Sequence, residues 1–332
     1  MNKSFVLRQL AASLLTVFLA MILTFVLLRL TPGSAIDAWA RGYAAQYNVT
    51  LEKAYEQVAL MINYNPKEPI YEQFITYVSG LLKGNLGYSM VSQSVSVNEI
   101  IASALPWTLF VSSIALFISF TIGIFLGVQM AWRRKSLLEP IVSVYSILTN
   151  AVPDFIFAIL LLIVFSYGLG WFPINGAYDP FLDVGFNLDF IVSVFYYAAL
   201  PILTFVIAMI GDWALSMKGS AVSVIGEDYV EAARARGLPD SVIMKKYVRK
   251  NAIIPLVTQM AMALGGMLGG AILVENLFQY PGMGYYMGNA VGQRDYTVMQ
   301  GILLFIAVTM VFANLIADLI YSKLDPRIKT GG

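Results

Sequence analysis

GEDYVEAARARGLPDSVIMKKYVRKNAIIP, residues 226–255, is a polar island in an apolar chain. With Lys218 just upstream it gathers seven basic residues: Lys218, Arg234, Arg236, Lys245, Lys246, Arg249 and Lys250. The pattern predicts two short helices with a sharp joint. Gly226, Glu227 and Asp228 suit a helix start, where carboxylates meet the positive end of the helix dipole. Val230, Ala233 and Ala235, flanked by charges, form an amphipathic segment. Gly237 stops it, because glycine takes the left-handed conformation at no steric cost. Pro239 restarts the chain at a first helical turn, where its missing N–H is not needed. A polar helix–turn–helix between two apolar spans is a surface built to touch another protein.

The rest of the chain supplies the spans. Apolar residues make up 58% of the 332, charged residues 12%, and mean hydropathy is +0.72. A soluble domain carries about 25% charged residues, so this is a multi-span membrane protein. A net charge of +1 implies no pull towards nucleic acid. Without Cys or His there is no disulfide, thiol, imidazole base or usual zinc site. No residue is assigned to catalysis or to a metal. No GxxxxGK[ST] occurs, so ATP-driven work needs a partner chain.

Six spans are expected. The first is Leu10–Leu28, an uncleaved helix longer than a signal-peptide core. Residues 31–106 are polar and patterned. Thr31-Pro32-Gly33 ends the first helix, Ala35–Met61 reads as helical, Pro66 and Pro69 break it, and Tyr71–Lys83 reads as a second amphipathic helix. A small external subdomain is expected there. Asn48-Val49-Thr50 spells a glycosylation sequon and no more. The second span is Trp107–Met130, with Leu105-Pro106 at its start and Gly123/Gly127 open to a neighbouring helix. The third, 141–167, is interrupted at Pro153-Asp154. The fourth is 195–217 and the fifth 256–273. Gly265, Gly266, Gly269 and Gly270 in the fifth imply close helix packing. Glu275–Gly284 is a re-entrant or loop segment. The sixth is 300–321, with a short tail beyond.

An even number of spans puts both termini on one side, and basic residues favour the cytoplasm. With the termini inside, fifteen of the 21 Lys/Arg are cytoplasmic, including the seven of the organising stretch. Six are outside, and most of those lie in the long 31–106 segment, where the rule is weak. The helix–turn–helix is therefore expected in the cytoplasm.

Glu231-Ala232-Ala233, then Gly237, then a helix ending Asn251-Ala252-Ile253-Ile254-Pro255, resembles the EAA loop of ABC importer permeases. The whole chain resembles the B-type subunit of the peptide/oligopeptide/nickel branch. The matching pieces run from end to end: Leu27 through Gly33, Lys83 through Ser89, Leu105-Pro106-Trp107-Thr108, Gly170-Trp171-Phe172-Pro173, Asp228 through Pro255, Glu275-xx-Phe278-xx-Pro281-Gly282-x-Gly284 and Leu324-Asp325-Pro326-Arg327. Asp212-Trp213-Ala214-Leu215-Ser216-Met217-Lys218 departs from the many peptide-type members that are basic there. It looks similar to members importing oligosaccharides.

The resemblance implies an all-α, six-helix type I importer permease fold with a coupling helix at the EAA loop. Its parts would be an N-terminal helix 1–30, an external subdomain 31–106, a core permease 107–325 with the loop at 226–255, and a cytoplasmic tail 326–332. It implies a plasma-membrane (inner-membrane) location, a second permease (a related C-type chain forming a heterodimer), two ATPase subunits that bind ATP and Mg, and an extracytoplasmic substrate-binding protein. Membrane lipid surrounds the spans; no nucleic acid is involved. Alternating access would move the cargo, an oligopeptide, dipeptide or oligosaccharide. Glu231, Ala233 and Gly237 would set the coupling helix and its turn, Arg234, Arg236, Lys245 and Lys246 would meet acidic groups on the ATPase, and Ala232 would join them as an ATPase-coupling residue. The bland alternative is that these cations only obey the positive-inside rule.

Acids in or beside the spans are functional candidates because a charge there is costly. Asp154 either lines the path or caps a helix after Pro153. Asp212 either gates the path or is solvated or paired with Lys218. Glu275, with Pro281 and Gly282, either forms an external gate or caps freed backbone amides. Asp318 is expected to pair with Lys323 or a neighbouring helix. A secondary transporter or channel is the competing reading, expected to show inverted repeats and paired intramembrane charges. A membrane enzyme ranks last.

Overall fold

The computed structural model describes the backbone of residues 3–30, 35–62, 69–92, 95–133, 136–267 and 269–324. Side chains are described at 10–26, 40–58, 69–92, 95–133, 136–267 and 269–315, omitting Leu268. Every named element among them is helical. The expected Thr31-Pro32-Gly33 stop, the break at Pro66, the Asp318 pairing and the Asp325-Pro326-Arg327 tail fall outside the described residues.

The elements are α1 (Lys3–Leu30), α2 (Ala35–Tyr47), α3 (Leu51–Ile62), α4 (Ile70–Leu82), α5 (Val97–Trp132), α6 (Leu138–Ala151), α7 (Asp154–Leu161), α8 (Leu188–Ile225), α9 (Asp228–Ala235), α10 (Asp240–Val242), α11 (Lys250–Ala252), α12 (Ile254–Met267), α13 (Ile272–Leu277), α14 (Met283–Gln293) and α15 (Tyr296–Leu324). π-helical turns extend α7 over Leu162–Gly168 and join α10 to α11 over Ile243–Arg249. Helix α5, helix α8 and Tyr296–Leu315 of α15 are long and apolar enough to cross a membrane. The α6–α7 pair, bent by 98°, makes a fourth crossing if taken as one. Leu10–Val26 and Ile254–Met267 are shorter apolar helices. The chain is a multi-pass membrane protein.

Helix limits differ from the expected ones for local reasons. The expected helix 35–61 is two, because Asn48 takes a left-handed φ of 51°, a conformation asparagine tolerates better than most residues. Helix α5 begins at Val97, well before Leu105-Pro106. Ser96 and Glu99 form a capping box: the Glu99 N–H donates to Ser96 Oγ at 3.2 Å and the Ser96 N–H to Glu99 Oε2 at 3.0 Å. Pro106 therefore lies inside the helix. Helix α8 starts at Leu188, since the Asn187 side chain accepts the Phe190 N–H at 2.8 Å. The expected fifth span stops at Met267, and six residues of α13 follow a break.

The chain forms two compact units. The first holds residues 1–108, 268–276 and 281–311. In it Phe25 of α1 packs on Phe74 and Tyr77 of α4 at 5.1 and 5.7 Å between ring centroids. The first turns of α5 (Val97, Ile100, Ile101, Ala104) bury against Met283, Met287 and Ala290 of α14 and Val298 and Ile302 of α15.

The second unit holds residues 109–267, 277–280 and 312–332. Its core joins α5 (Leu116, Ile124, Val128, Ala131), α8 (Trp213, Met217, Ala221) and the polar elbow's inward residues. Gly123 and Gly127 admit α8 so closely that a methyl at either would overlap Trp213, Ala214 or Met217. That close approach is the one their spacing predicts.

Candidate functional site

The elbow at 226–255 is built as the sequence suggests, with two changes. Helix α9 starts at Asp228 behind an extended Glu227, with Asp228 and Glu231 in its first turn. Gly237 has φ 73°. Its N–H donates to the Arg234 carbonyl at 2.9 Å, and the Leu238 N–H donates to the Ala233 carbonyl at 3.3 Å. This paired closure satisfies the last carbonyls of α9. Pro239 sits at the N-cap, one residue before the helical turn expected for it. The second arm is not a plain α-helix. Ile243 and Val248 are both buried although five residues apart. A ladder of i→i+5 bonds keeps such residues on one face, and an α ladder would not.

Burial divides the elbow into two faces. Val230, Ala233, Ile243, Val248 and Ala252 are buried in the core of the second unit. Glu231, Ala232, Arg234, Arg236, Gly237, Lys245 and Lys246 are exposed. Ala233 is thus a packing residue that seats α9. Two of the four candidate cations are engaged within the chain. The Arg234 guanidinium lies 5.7 Å over the Trp132 ring at the end of α5, a cation–π contact. Arg236 Nε donates to the Ala232 carbonyl at 3.3 Å.

Lys218 does not pair with Asp212. It forms an ion pair with Glu139 at 2.6 Å, tying α8 to the start of α6. The two residues are six apart, which puts Lys218 on a different face of α8 from Asp212. Asp212 instead accepts from Asn150 Nδ2 at 2.6 Å, at the other end of α6. Asp154 opens α7 after Pro153, and its carboxylate accepts the Phe155 N–H at 2.8 Å.

In the first unit, Glu275 is buried to 5% exposure and accepts three hydrogen bonds. The donors are Thr108 Oγ1 at 3.0 Å and the N–H groups of Gly284 at 2.7 Å and Tyr285 at 3.2 Å. Thr108 Oγ1 accepts in turn from the Met283 N–H at 2.8 Å. The carboxylate thus satisfies the open amides at the start of α14. Pro281 leads into that start. Gly282 lies so close that a methyl on it would overlap Glu275 and Thr108. Glu275 and Gly282 form one packed cluster; Asp154 and Asp212 belong to the second unit.

Several residues of these arrangements were not singled out in the sequence. Thr108 stands in the sequence only as part of the Leu105–Thr108 motif, and Trp132 and Glu139 lie in the short stretch between the expected second and third spans. Asp295 is 3% exposed and accepts from the N–H groups of Met90, Val91 and Val298 at 3.1, 3.3 and 3.2 Å and from Ser89 Oγ. Its signal was an acidic residue just before a long apolar run, the N-cap pattern.

Residues 119–330 match the family model for the binding-protein-dependent transport system inner membrane component. The chain belongs to that family. A relative in Brucella suis biovar 1 (strain 1330) is 36% identical over 311 residues, 93% of each chain. The di/tripeptide transport system permease protein DppB of Pseudomonas aeruginosa (strain UCBPP-PA14) is 30% identical, covering 98% of both chains. The glutathione transport system permease protein GsiC of Escherichia coli O6:H1 (strain CFT073) is 31% identical, covering 98% of this chain and 99% of that one. The protein is a permease subunit of an ABC importer and not an enzyme; ATP hydrolysis belongs to a separate subunit.

Proposed function

We propose that this permease is the B-type membrane subunit of an ATP-driven importer of short peptides. Its cargo is inferred from relatives whose names specify di/tripeptides and glutathione. The observation that carries the coupling role is the two-faced elbow. One face is locked into the span bundle through Val230, Ala233, Ile243 and Val248, and the other is exposed. A surface seated that firmly can pass a push on its exposed side to α5, α8 and α12.

In this reading the membrane domain has six spans of the type I importer fold, with both termini cytoplasmic. Helix α1 and the α12–α13 pair supply the crossings beyond the four helices or bent pairs that qualify by length. Residues 31–106 form the external subdomain and 107–325 the core. A related C-type permease completes the membrane domain, two ATPase subunits bind ATP and Mg, and an extracytoplasmic binding protein delivers the peptide. Glu231, Ala232, Arg234, Arg236, Lys245 and Lys246 face the ATPase, with Ala233 and Gly237 setting the helix and its turn. Asp154 and Asp212 line the path, and Glu275, Pro281 and Gly282 brace its external gate. The names of these relatives lend no support to the oligosaccharide expectation.

The test is reconstitution of this chain with its neighbouring permease, ATPase and binding-protein genes in proteoliposomes. ATP-dependent uptake of di- and tripeptides is expected in the parent and not in Glu231→Lys, with the complex still assembled. Uptake unaffected by Glu231→Lys would remove the coupling role of the elbow. Failure of the ATPases to associate would remove the importer reading itself.

A further inference from the structure

The apolar spans hold no lysine or arginine: none occurs at 10–28, 107–130, 141–167, 190–217, 254–273 or 296–315. Asp212 is the charged group of α8 nearest the middle of this region, and it is exposed on the surface of the chain. By helix rise it stands about 9 Å on the apolar side of Lys218. Lys218 is already taken by Glu139. Among the described residues, no cation pairs with Asp212. Its contact is the Asn150 amide at 2.6 Å.

Joining α6 to α8 does not require a charge. Tyr145 donates to the Ile207 carbonyl, Ser146 Oγ donates to the Gly211 carbonyl at 3.1 Å, and Gly211 leaves no room for a methyl beside Ser146 and Thr149. These neutral bonds hold the helices together, and an asparagine at 212 would still offer Asn150 an acceptor oxygen. A carboxylate adds a stronger bond to Asn150 and the ability to hold a cation.

A second, independent feature is also negative. Helix α6 ends at Ala151, and the chain turns through 98° into α7. Pro153 has no N–H to return to the Thr149 carbonyl, and the Phe155 N–H is turned to Asp154. The carbonyl end of α6, where the helix dipole is negative, therefore faces the bend beside Asn150 and Asp212. One carboxylate, one amide oxygen and a set of backbone carbonyls suit a primary ammonium, which presents three donors from one atom.

We infer that Asp212, Asn150 and the carbonyl end of α6 form a transient site for the ammonium group of the cargo. This rests on the proposed importer function and names the chemical group that its path selects. A free peptide N-terminus carries that group, and N-acetylation removes it.

The chain has no cysteine, so Ala151→Cys places a single thiol beside the site. In the reconstituted full transporter, its labelling is measured with a trimethylammonium and a sulfonate methanethiosulfonate reagent, each normalised to its rate with free 2-mercaptoethanol. The cationic reagent is expected to be favoured about tenfold, as one nearby carboxylate would produce. The preference should vanish with Asp212→Asn, persist with Asp212→Glu and rise with Asn150→Asp. Ala-Ala-Ala should slow labelling, and N-acetyl-Ala-Ala-Ala should not. Equal rates for the two reagents in the parent would mean that a partner-chain cation already neutralises Asp212, which overturns the site. So would a preference that survives Asp212→Asn, or a thiol that neither reagent reaches. Peptide uptake is measured in the same vesicles. Reagent preference without peptide uptake would sink the peptide reading and leave an ammonium site for another cargo.

Discussion

The Arg234 guanidinium lies 5.7 Å over the ring of Trp132. Trp132 is the last residue of α5, and Arg234 is in the last turn of α9. A cation on the exposed elbow is thereby held by the end of a membrane helix. The elbow has two couplings to that helix. One runs through the core cluster that Val230 and Ala233 share with Ile124, Val128 and Ala131 of α5, and the other is this clamp on the rim.

Trp132→Ala should weaken coupling while leaving the complex assembled. An exposed cation–π contact is worth about 0.5–1 kcal/mol, so peptide uptake per ATP hydrolysed should fall roughly two- to fivefold. Trp132→Phe keeps a ring face and should retain most of the coupling. Equal losses in both variants would indicate packing damage in place of the cation–π contact.

Gly237→Ala should destabilise the elbow locally. At φ 73° a side chain meets the next carbonyl, a cost of about 1–2 kcal/mol. Amide hydrogen exchange at residues 234–238 should speed up by about tenfold, with exchange in α5 and α8 unchanged. If exchange there is unaltered, the turn does not depend on the left-handed residue.

The elbow was legible in the sequence because its signals are local. Gly237, the acids of the first turn and the alternation of Val230 and Ala233 act within a few residues. The close approach at Gly123 and Gly127 was legible for a similar reason: two missing side chains, four apart, leave a groove. The partners of the charges were not legible. Lys218 with Glu139, and Asp212 with Asn150, are decided by how α6 crosses α8, and that crossing is set by Ser146 against Gly211. The 98° bend was visible only as Pro153; its angle comes from packing. The π turn at 243–249 hid because its basic residues disguise the five-residue spacing of Ile243 and Val248.

Glu275→Ala should cost more than Glu275→Gln. Alanine leaves the buried N–H groups of Gly284 and Tyr285 and the Thr108 hydroxyl without their acceptor. Losing hydrogen bonds to a charged acceptor costs about 1.5–3 kcal/mol. Glutamine keeps an acceptor oxygen and should lose less. Thermal unfolding of the purified complex in detergent should follow the order wild type, Gln, Ala. The reverse order would mean that the carboxylate's charge is a liability which burial imposes. Gly282→Ala, which overlaps the same cluster, should resemble Glu275→Ala.

Asp295 joins two parts of the first unit that are over 200 residues apart in sequence. Its Oδ1 accepts from Met90 and from Val298, so one oxygen both anchors the 89–91 loop and caps α15. Its Oδ2 accepts from Ser89 and Val91. Asp295→Ala removes both functions and should cost about 2 kcal/mol, a cap plus a buried acceptor. Ser89→Ala removes one donor to Asp295 and an acceptor of the Val91 and Ser92 N–H groups but leaves the Met90 and Val298 bonds to Asp295, so it should cost less than Asp295→Ala. Limited proteolysis should therefore cut residues 85–96 much faster in Asp295→Ala than in Ser89→Ala. Equal cutting would mean that the Ser89 hydroxyl, and not the backbone amides, holds the loop to α15.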